Sequence, residues 1–294
     1  MRKGHSPLEV VRDAVDRGID SVIVGVSGGR DSVATLDLCV KHFRVVRCYF
    51  MYVVPGIQFQ ERYLKMLERR YNVEIERLPH YTLTRILSQG VLRHKTNATM
   101  SLRQCKQGHF YAYVRQRFGL RWIALGEKAC DSLERNTQMT KRGGVQEQRG
   151  TIMPLAWWSD SDVQSYVSSL RIPIAPDYGL SAKSLESLRR QRSGSFSSLL
   201  RIDALLLIRE RYPDDYDRIR KMFPLVDAHV LRFESLRRRG LIDEKPAVSE
   251  VCRRAGKRRS TTSVEPADSH SDSSPTSPTS PGATDGEEIQ GEHT

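Results

Sequence analysis

The sequence predicts an α/β protein with a mainly parallel sheet and helices on both faces. A helical region and a disordered acidic tail should follow it. Two patterns carry this reading. Across residues 21–128, short β-branched runs alternate with segments of helical periodicity. A glycine-rich turn directly follows the first of those runs. Composition adds a third: only 38% of the 294 residues are hydrophobic, so part of the chain joins no core.

SVIVGV (21–26) reads as the first strand. ATLDLCVKHF follows as a helix, with Leu36, Cys39, Val40 and Phe43 at helical spacing. VVRCYFMYVV (45–54) is a second strand, and QERYLKMLERRYN a helix burying Tyr63, Leu64, Met66 and Leu67. VEIERLP (73–79) alternates as a third strand. Helical patterns around 82–90 and 107–117 precede a fourth strand, RWIALGEK (121–128). Ser159 and Asp162 have capping-box spacing before a helix that carries Val163, Tyr166 and Val167. Beyond Pro176 the chain reads as helical through SLESLRRQ, RIDALLLIRERY, DDYDRIRKMF and HVLRFESLRRRG, with Gly240 as the final C-cap. The expected organisation is an α/β nucleotide-binding domain over 1–180, a basic helical region over 181–250, and a basic linker and tail over 251–294. In a parallel sheet ligands bind at the carboxyl ends of the strands, so the loops after strands one, two and four should share a crevice.

No stretch reaches the ~18 apolar residues of a membrane helix, and the N-terminus lacks the apolar core of a secretory signal. The working class is a soluble cytoplasmic protein. Five cysteines (Cys39, Cys48, Cys105, Cys130, Cys252) form no CxxC pair, so neither a zinc ribbon nor a dithiol redox pair is visible. Residues 260–294 contain seven acids and no Lys or Arg, against a net charge of +12 for the whole chain. That Ser/Thr/Pro-rich tail cannot offset its ordering entropy. The body is therefore strongly basic. Its clusters at Arg189, Arg190 and Arg192, at Arg237 to Arg239, and from Arg253 to Arg259 fit either solvated helix faces or a surface for nucleic acid.

The chemistry is concentrated in Ser27-Gly28-Gly29-Arg30-Asp31-Ser32, between a strand and a helix. Two glycines let backbone N–H groups approach an anion, and the helix start adds its positive dipole end. Neither the Walker A nor the GxGxxG pattern is present. Asp31 would repel phosphate unless it caps the helix or faces Mg²⁺.

This SGGxDS segment resembles the pyrophosphate (PP) loop of the adenine-nucleotide α-hydrolase superfamily, whose fold is Rossmann-like, of the HUP type. Two further stretches are similar to its phosphoadenylyl-sulfate reductase branch. One is Leu125-Gly126-Glu127-Lys128-Ala129-Cys130-Asp131-Ser132-Leu133-Glu134-Arg135. The other runs from Pro154 through Trp157, Trp158 and Tyr166 to Ile172-Pro173 and Asp177-Tyr178-Gly179. The resemblance implies that Ser27, Gly28, Gly29, Arg30, Asp31 and Ser32 bind the phosphates of ATP or a related adenine nucleotide. It implies that Asp31 holds Mg²⁺, that Met51, Tyr52 and Val53 contact adenine, and that Gly126 and Arg135 complete the site. Asp31, Ser32 and Arg135 would be the catalytic set, and Tyr178 would line the pocket mouth.

The chain departs from the reductases in three places. Their Glu-Cys-Gly-x-x-His motif is missing, and the late cysteine is Cys252, between Val251 and Arg253. Iron–sulfur cysteine pairs are missing, so no cluster is expected. Their Asp-Thr-Gly-like segment after strand two is replaced by Val53-Val54-Pro55-Gly56-Ile57, as in phage-type variants of the family. Three readings remain open: an enzyme acting at the nucleotide α-phosphate, with a nucleic-acid base as one candidate acceptor; a thioredoxin-dependent sulfonucleotide reductase using Cys252; and an inactive nucleotide-binding regulator. Cys105, followed by Lys106, is a candidate for a redox or sulfur-carrying role or a packed thiol.

Overall fold

Six strands form one sheet in the order β3-β2-β1-β4-β6-β5. The computed structural model describes residues 8–173, 175–176 and 199–242. Tyr178, Cys252, the SLESLRRQ segment, the clusters at 189–192 and 253–259, and the acidic tail lie outside the described residues.

Strands β1 (Ser21–Gly25), β2 (Val45–Tyr52), β3 (Ile75–Pro79) and β4 (Ile123–Ala124) run parallel. Between them lie α2 (Arg30–His42), α3 (Gln58–Tyr71), α4 (Leu83–Gln89), α5 (Asn97–Met100) and α6 (Gln107–Phe118). The fourth strand is shorter than its sequence pattern, although the Leu125 N–H still donates to the Ile152 carbonyl of the neighbouring strand at 2.8 Å. Two short strands escape the sequence reading: β5 (Val145–Gln146), and β6 (Thr151–Ile152) parallel to β4. Two residues are too few to display a period of two. Helices α1 (Glu9–Asp16), α7 (Leu133–Arg142) and α8 (Asp160–Ser169) complete the α/β part. At α8, the Ser159 N–H donates to Asp162 at 2.8 Å and the Asp162 N–H to the Ser159 hydroxyl at 3.2 Å, which is the capping box its sequence announced.

Alternation along β1 shows that both faces are covered. Val22 and Val24 join a core with residues of α1, α2, α3 and α8, while Ile23 joins Tyr49, Phe110, Val114 and Ile123 on the other face. Helix α6 therefore covers one side, and α1, α2, α3 and α8 the other. Buried Asp37 of α2 accepts from the hydroxyls of Tyr71 on α3 and Tyr166 on α8, and pairs with Lys41 at 2.7 Å.

A third core cluster explains the apolar loop after β2. Val53, Val54, Ile57 and Phe59 pack with Leu83, Ile86 and the buried faces of α9 (Ile202–Arg211), α10 (Pro213–Met222) and α11 (Val226–Arg238). Gly240 follows α11 at φ +65°, as its expected capping role requires. The helical region also closes α3 from outside. Asp215, buried on α10, accepts from the N–H groups of Gln58 at 2.7 Å and Phe59 at 3.3 Å. Helix α3 has no cap from its own Ile57, so a carboxylate distant in sequence supplies it.

Asp215→Ala should cost about 2–3 kcal/mol in urea unfolding, the range for a charge-assisted bond to a buried partner. Asp215→Asn, which keeps an acceptor, should cost about 1 kcal/mol. An Ala variant as stable as the wild type would remove this capping role.

Candidate active site

The turn after β1 is built by its own residues. Gly28 has φ +79°, a conformation glycine reaches without penalty, and Gly29 is the N-cap of α2. The Ser27 N–H donates to Ser32 Oγ at 3.1 Å, the Gly29 N–H to Ser27 Oγ at 3.3 Å, and the Ser32 hydroxyl to the Gly29 carbonyl at 2.8 Å. Ser32 is buried, and its proton is spent inside the loop. Its hydroxyl braces the cradle, while backbone N–H groups at the start of α2 face any anion that enters.

Asp31 does not cap α2, since no side chain caps that helix. Its carboxylate instead meets Lys128 Nζ at 2.9 Å. Nothing in the local sequence, Glu127-Lys128-Ala129, marks this lysine for a role. Its side chain is 1% exposed, and its ammonium also lies 3.3 Å from Asp131 and 3.3 Å from Asp160. Three elements converge on it: the start of α2, the loop after β4, and the first residue of α8. Burial alone would lower the Lys128 pKa. The hydrogen bond and charge of Asp31, then the charge of Asp131, outweigh that and hold it above its ordinary value. Its stabilising contribution is thus complete at neutral pH and fades only as pH rises through the raised lysine pKa, above ~10.4.

Gly126 makes this convergence possible. A Cβ there would lie 3.1 Å from the carbonyl carbon and oxygen of Asp31, so the β4 loop passes against the phosphate loop where a side chain would be crowded. Arg135 is half-buried, with one nitrogen 2.6 Å from Asp131 and another 3.5 Å from Glu127. Arg30 reaches Gln164 of α8 at 3.3 Å. Met51 and Tyr52 are half-buried at the end of β2, whereas Val53 is buried in the cluster under α9–α11. The structure therefore joins Ser27–Ser32, Gly126 and the Arg135 carboxylate partners in one crevice, and Val53 faces the helical packing. Cys105 is half-buried beside Tyr81 and Tyr111.

Two cations, Lys128 and Arg135, stand among four carboxylates: Asp31, Glu127, Asp131 and Asp160. Asp131 is committed to both cations, while the Asp160 side chain is 81% exposed and that of Asp31 39%. Oxygen donors with spare coordination beside a phosphate cradle suit Mg²⁺. Cys130 Sγ lies close to Asp131 and Asp160, but a thiol is a poor magnesium ligand. Burial raises the Cys130 pKa despite nearby Lys128, and its thiol donates to the Trp158 carbonyl at 3.3 Å.

The phosphoadenosine phosphosulfate reductase domain matches residues 21–185. A tRNA-cytidine(32) 2-sulfurtransferase of Paraburkholderia phymatum is 27% identical over 253 residues, covering 76% of this chain and 69% of its own length. An enzyme with the same description from Xanthomonas campestris pv. campestris is 26% identical over 195 residues, covering 60% of this chain and 62% of its own length. The crystal structure of phosphoadenylyl-sulfate (PAPS) reductase from Candida auris aligns with 61% of this chain at 16% identity and a TM-score of 0.40.

Lys128→Ala removes the cation from Asp31 and Asp160 and leaves buried Asp131 paired with Arg135 alone. It should cost about 3 kcal/mol by thermal or urea unfolding, the low end for a broken buried pair because Asp160 stays in water. Cys130 should react with iodoacetamide more slowly at pH 7 than a free thiol and accelerate only above the ordinary thiol range; fast labelling at pH 7 would contradict the raised pKa.

Proposed function

The chain belongs to the phosphoadenosine phosphosulfate reductase domain family, and on that footing we propose an enzyme that acts at the α-phosphate of ATP or a closely related adenine nucleotide. The observation that carries this reading is the braced phosphate loop held against the β4 loop by Lys128. An acceptor oxygen attacks the α-phosphorus, the bond from that phosphorus to the β-phosphate oxygen breaks, and pyrophosphate departs. The product is an adenylated acceptor.

Each residue group has a distinct task. Backbone N–H groups of the loop and the α2 start stabilise the charge developing on pyrophosphate. Ser27 and Ser32 keep those groups aligned, as the internal hydrogen bonds of the loop support. Lys128 orients Asp31. Arg135, positioned by Asp131 and Glu127, is the side chain assigned to the nucleotide phosphates or sulfate. Asp31 and Asp160 are the carboxylates that would hold Mg²⁺. When bound, that ion supplies positive charge for a triphosphate beside a crevice rich in acids.

A nucleic-acid base is the acceptor we favour. Relatives described as tRNA-cytidine(32) 2-sulfurtransferases and the basic character of the chain, with a net charge of +12, support that class.

With purified protein, MgATP and bulk tRNA, pyrophosphate and an adenylated product should form, and Asp31→Ala should reduce the rate by about 100-fold or more. No pyrophosphate with tRNA or DNA would overturn the adenylation reading. Thioredoxin-dependent sulfite release from a sulfonucleotide would assign the reductase reaction instead. Saturable nucleotide binding with neither product would leave a regulatory binder.

A further inference from the structure

Between Glu76 and Glu127 the chain contains nine Lys and Arg residues and no acid. The structure divides those nine into two groups. Arg77 pairs with Glu61 and Glu68, and Arg117 with Glu76. Arg115 donates to the carbonyls of Arg121, Arg149 and Gly150, and Arg121 to that of Glu147. Arg93 reaches the Met222 carbonyl at 3.5 Å. These cations hold the fold together. Arg85, Lys95, Arg103 and Lys106 are different: all four are exposed, and none forms an ion pair among the described residues.

Their location matters as much as their charge. The segment leaves the sheet at the carboxyl end of β3, where the His80 N–H donates to the Tyr52 carbonyl at 2.8 Å. Its two ends are tied by the Cys105 N–H to Thr84 Oγ1 at 3.2 Å. Tyr81 and Cys105 pack in one cluster with Met51 and Leu125, at the ends of β2 and β4. The free cations therefore sit on the same edge of the sheet as the phosphate loop. Met100 and Tyr113, 55% and 48% exposed, lie within the same acid-free stretch.

The described part of the basic helical region, unlike this stretch, carries its cations among acids. Over residues 199–242, ten Lys and Arg residues face seven acids. Arg201, Arg209, Arg218 and Arg220 are each paired with a carboxylate.

We infer that Arg85, Lys95, Arg103 and Lys106 form a docking strip for the phosphate backbone of a folded RNA, placed to deliver an unpaired base to the nucleotide crevice. Unpaired cations at an exposed edge supply the electrostatic attraction. Exposed Met100 and Tyr113 offer apolar surface to unstacked bases, which duplex DNA does not present. The strip deepens the proposed function and rests on its nucleic-acid acceptor.

The test measures anisotropy of labelled bulk tRNA, without ATP, across a salt series. Wild type is compared with Lys95→Glu/Arg103→Glu/Lys106→Glu and with Arg237→Glu/Arg238→Glu/Arg239→Glu. The strip variant should bind at least ~10-fold more weakly, with a salt slope lower by about 2–3. The helix variant should stay within about threefold of wild type, and ATP affinity should be the same in all three proteins. Wild-type-like binding by the strip variant, loss confined to the helix variant, or no tRNA binding by wild type would each overturn the strip. Duplex DNA bound as tightly as tRNA would overturn its assignment to RNA. Pyrophosphate formation from ATP separates the two proposals: turnover with an indifferent strip variant sinks only the strip, and strip-dependent binding without turnover sinks only adenylation.

Discussion

The site depends on one buried ammonium. Lys128 is the only cation among the described residues that touches Asp31, Asp131 and Asp160 together, and those acids come from three separate elements. Without it, the carboxylate at the mouth of the phosphate loop would face two others across a crowded contact. A buried ion pair adds little net stability by itself, because desolvation offsets most of the attraction. Its value lies in specificity. One arrangement of the β1 loop, the β4 loop and the α8 start satisfies all three acids, and other arrangements leave charge unpaired. The Gly126 contact with the Asp31 backbone locks the same geometry sterically.

A second constraint links the helical region to the carboxyl edge of β2. The loop after β2 is apolar because it is core: Val53, Val54 and Ile57 are buried beneath α9–α11. Asp215 then supplies the cap that α3 lacks. The replacement of an Asp-Thr-Gly-like segment by Val-Val-Pro-Gly-Ile thus has a packing cause. This edge of the sheet is shaped by the added helices, and Met51 and Tyr52 stay half-buried at the end of β2.

Charge is sorted by position. Arginines beside acids are used internally, in Arg77 with Glu61 and Glu68, and in Arg209 with Glu234. Where acids are missing from the sequence, cations remain exposed on the carboxyl edge of the sheet. Carboxylates therefore outnumber cations around Asp31 and Asp131, while exposed cations dominate the segment between β3 and β4, so the two regions present opposite charge.

The α/β class, the succession of the first four strands, the glycine turn after β1 and the caps at Ser159 and Gly240 are all legible in the amino-acid sequence. Each rests on a local rule: a period of two or 3.6, a glycine at positive φ, or a serine three residues before an acid. Strands β5 and β6 were invisible because two residues carry no period. Lys128, between Glu127 and Ala129, looks like any surface lysine until the fold buries it. Val53 ends an apolar strand pattern, and its burial against α9–α11 becomes visible only in the folded chain. Which charges meet is set only in the folded chain. Coulomb energy depends on distance in space, and residues 31, 128 and 160 become neighbours only when the sheet brings their loops to one edge.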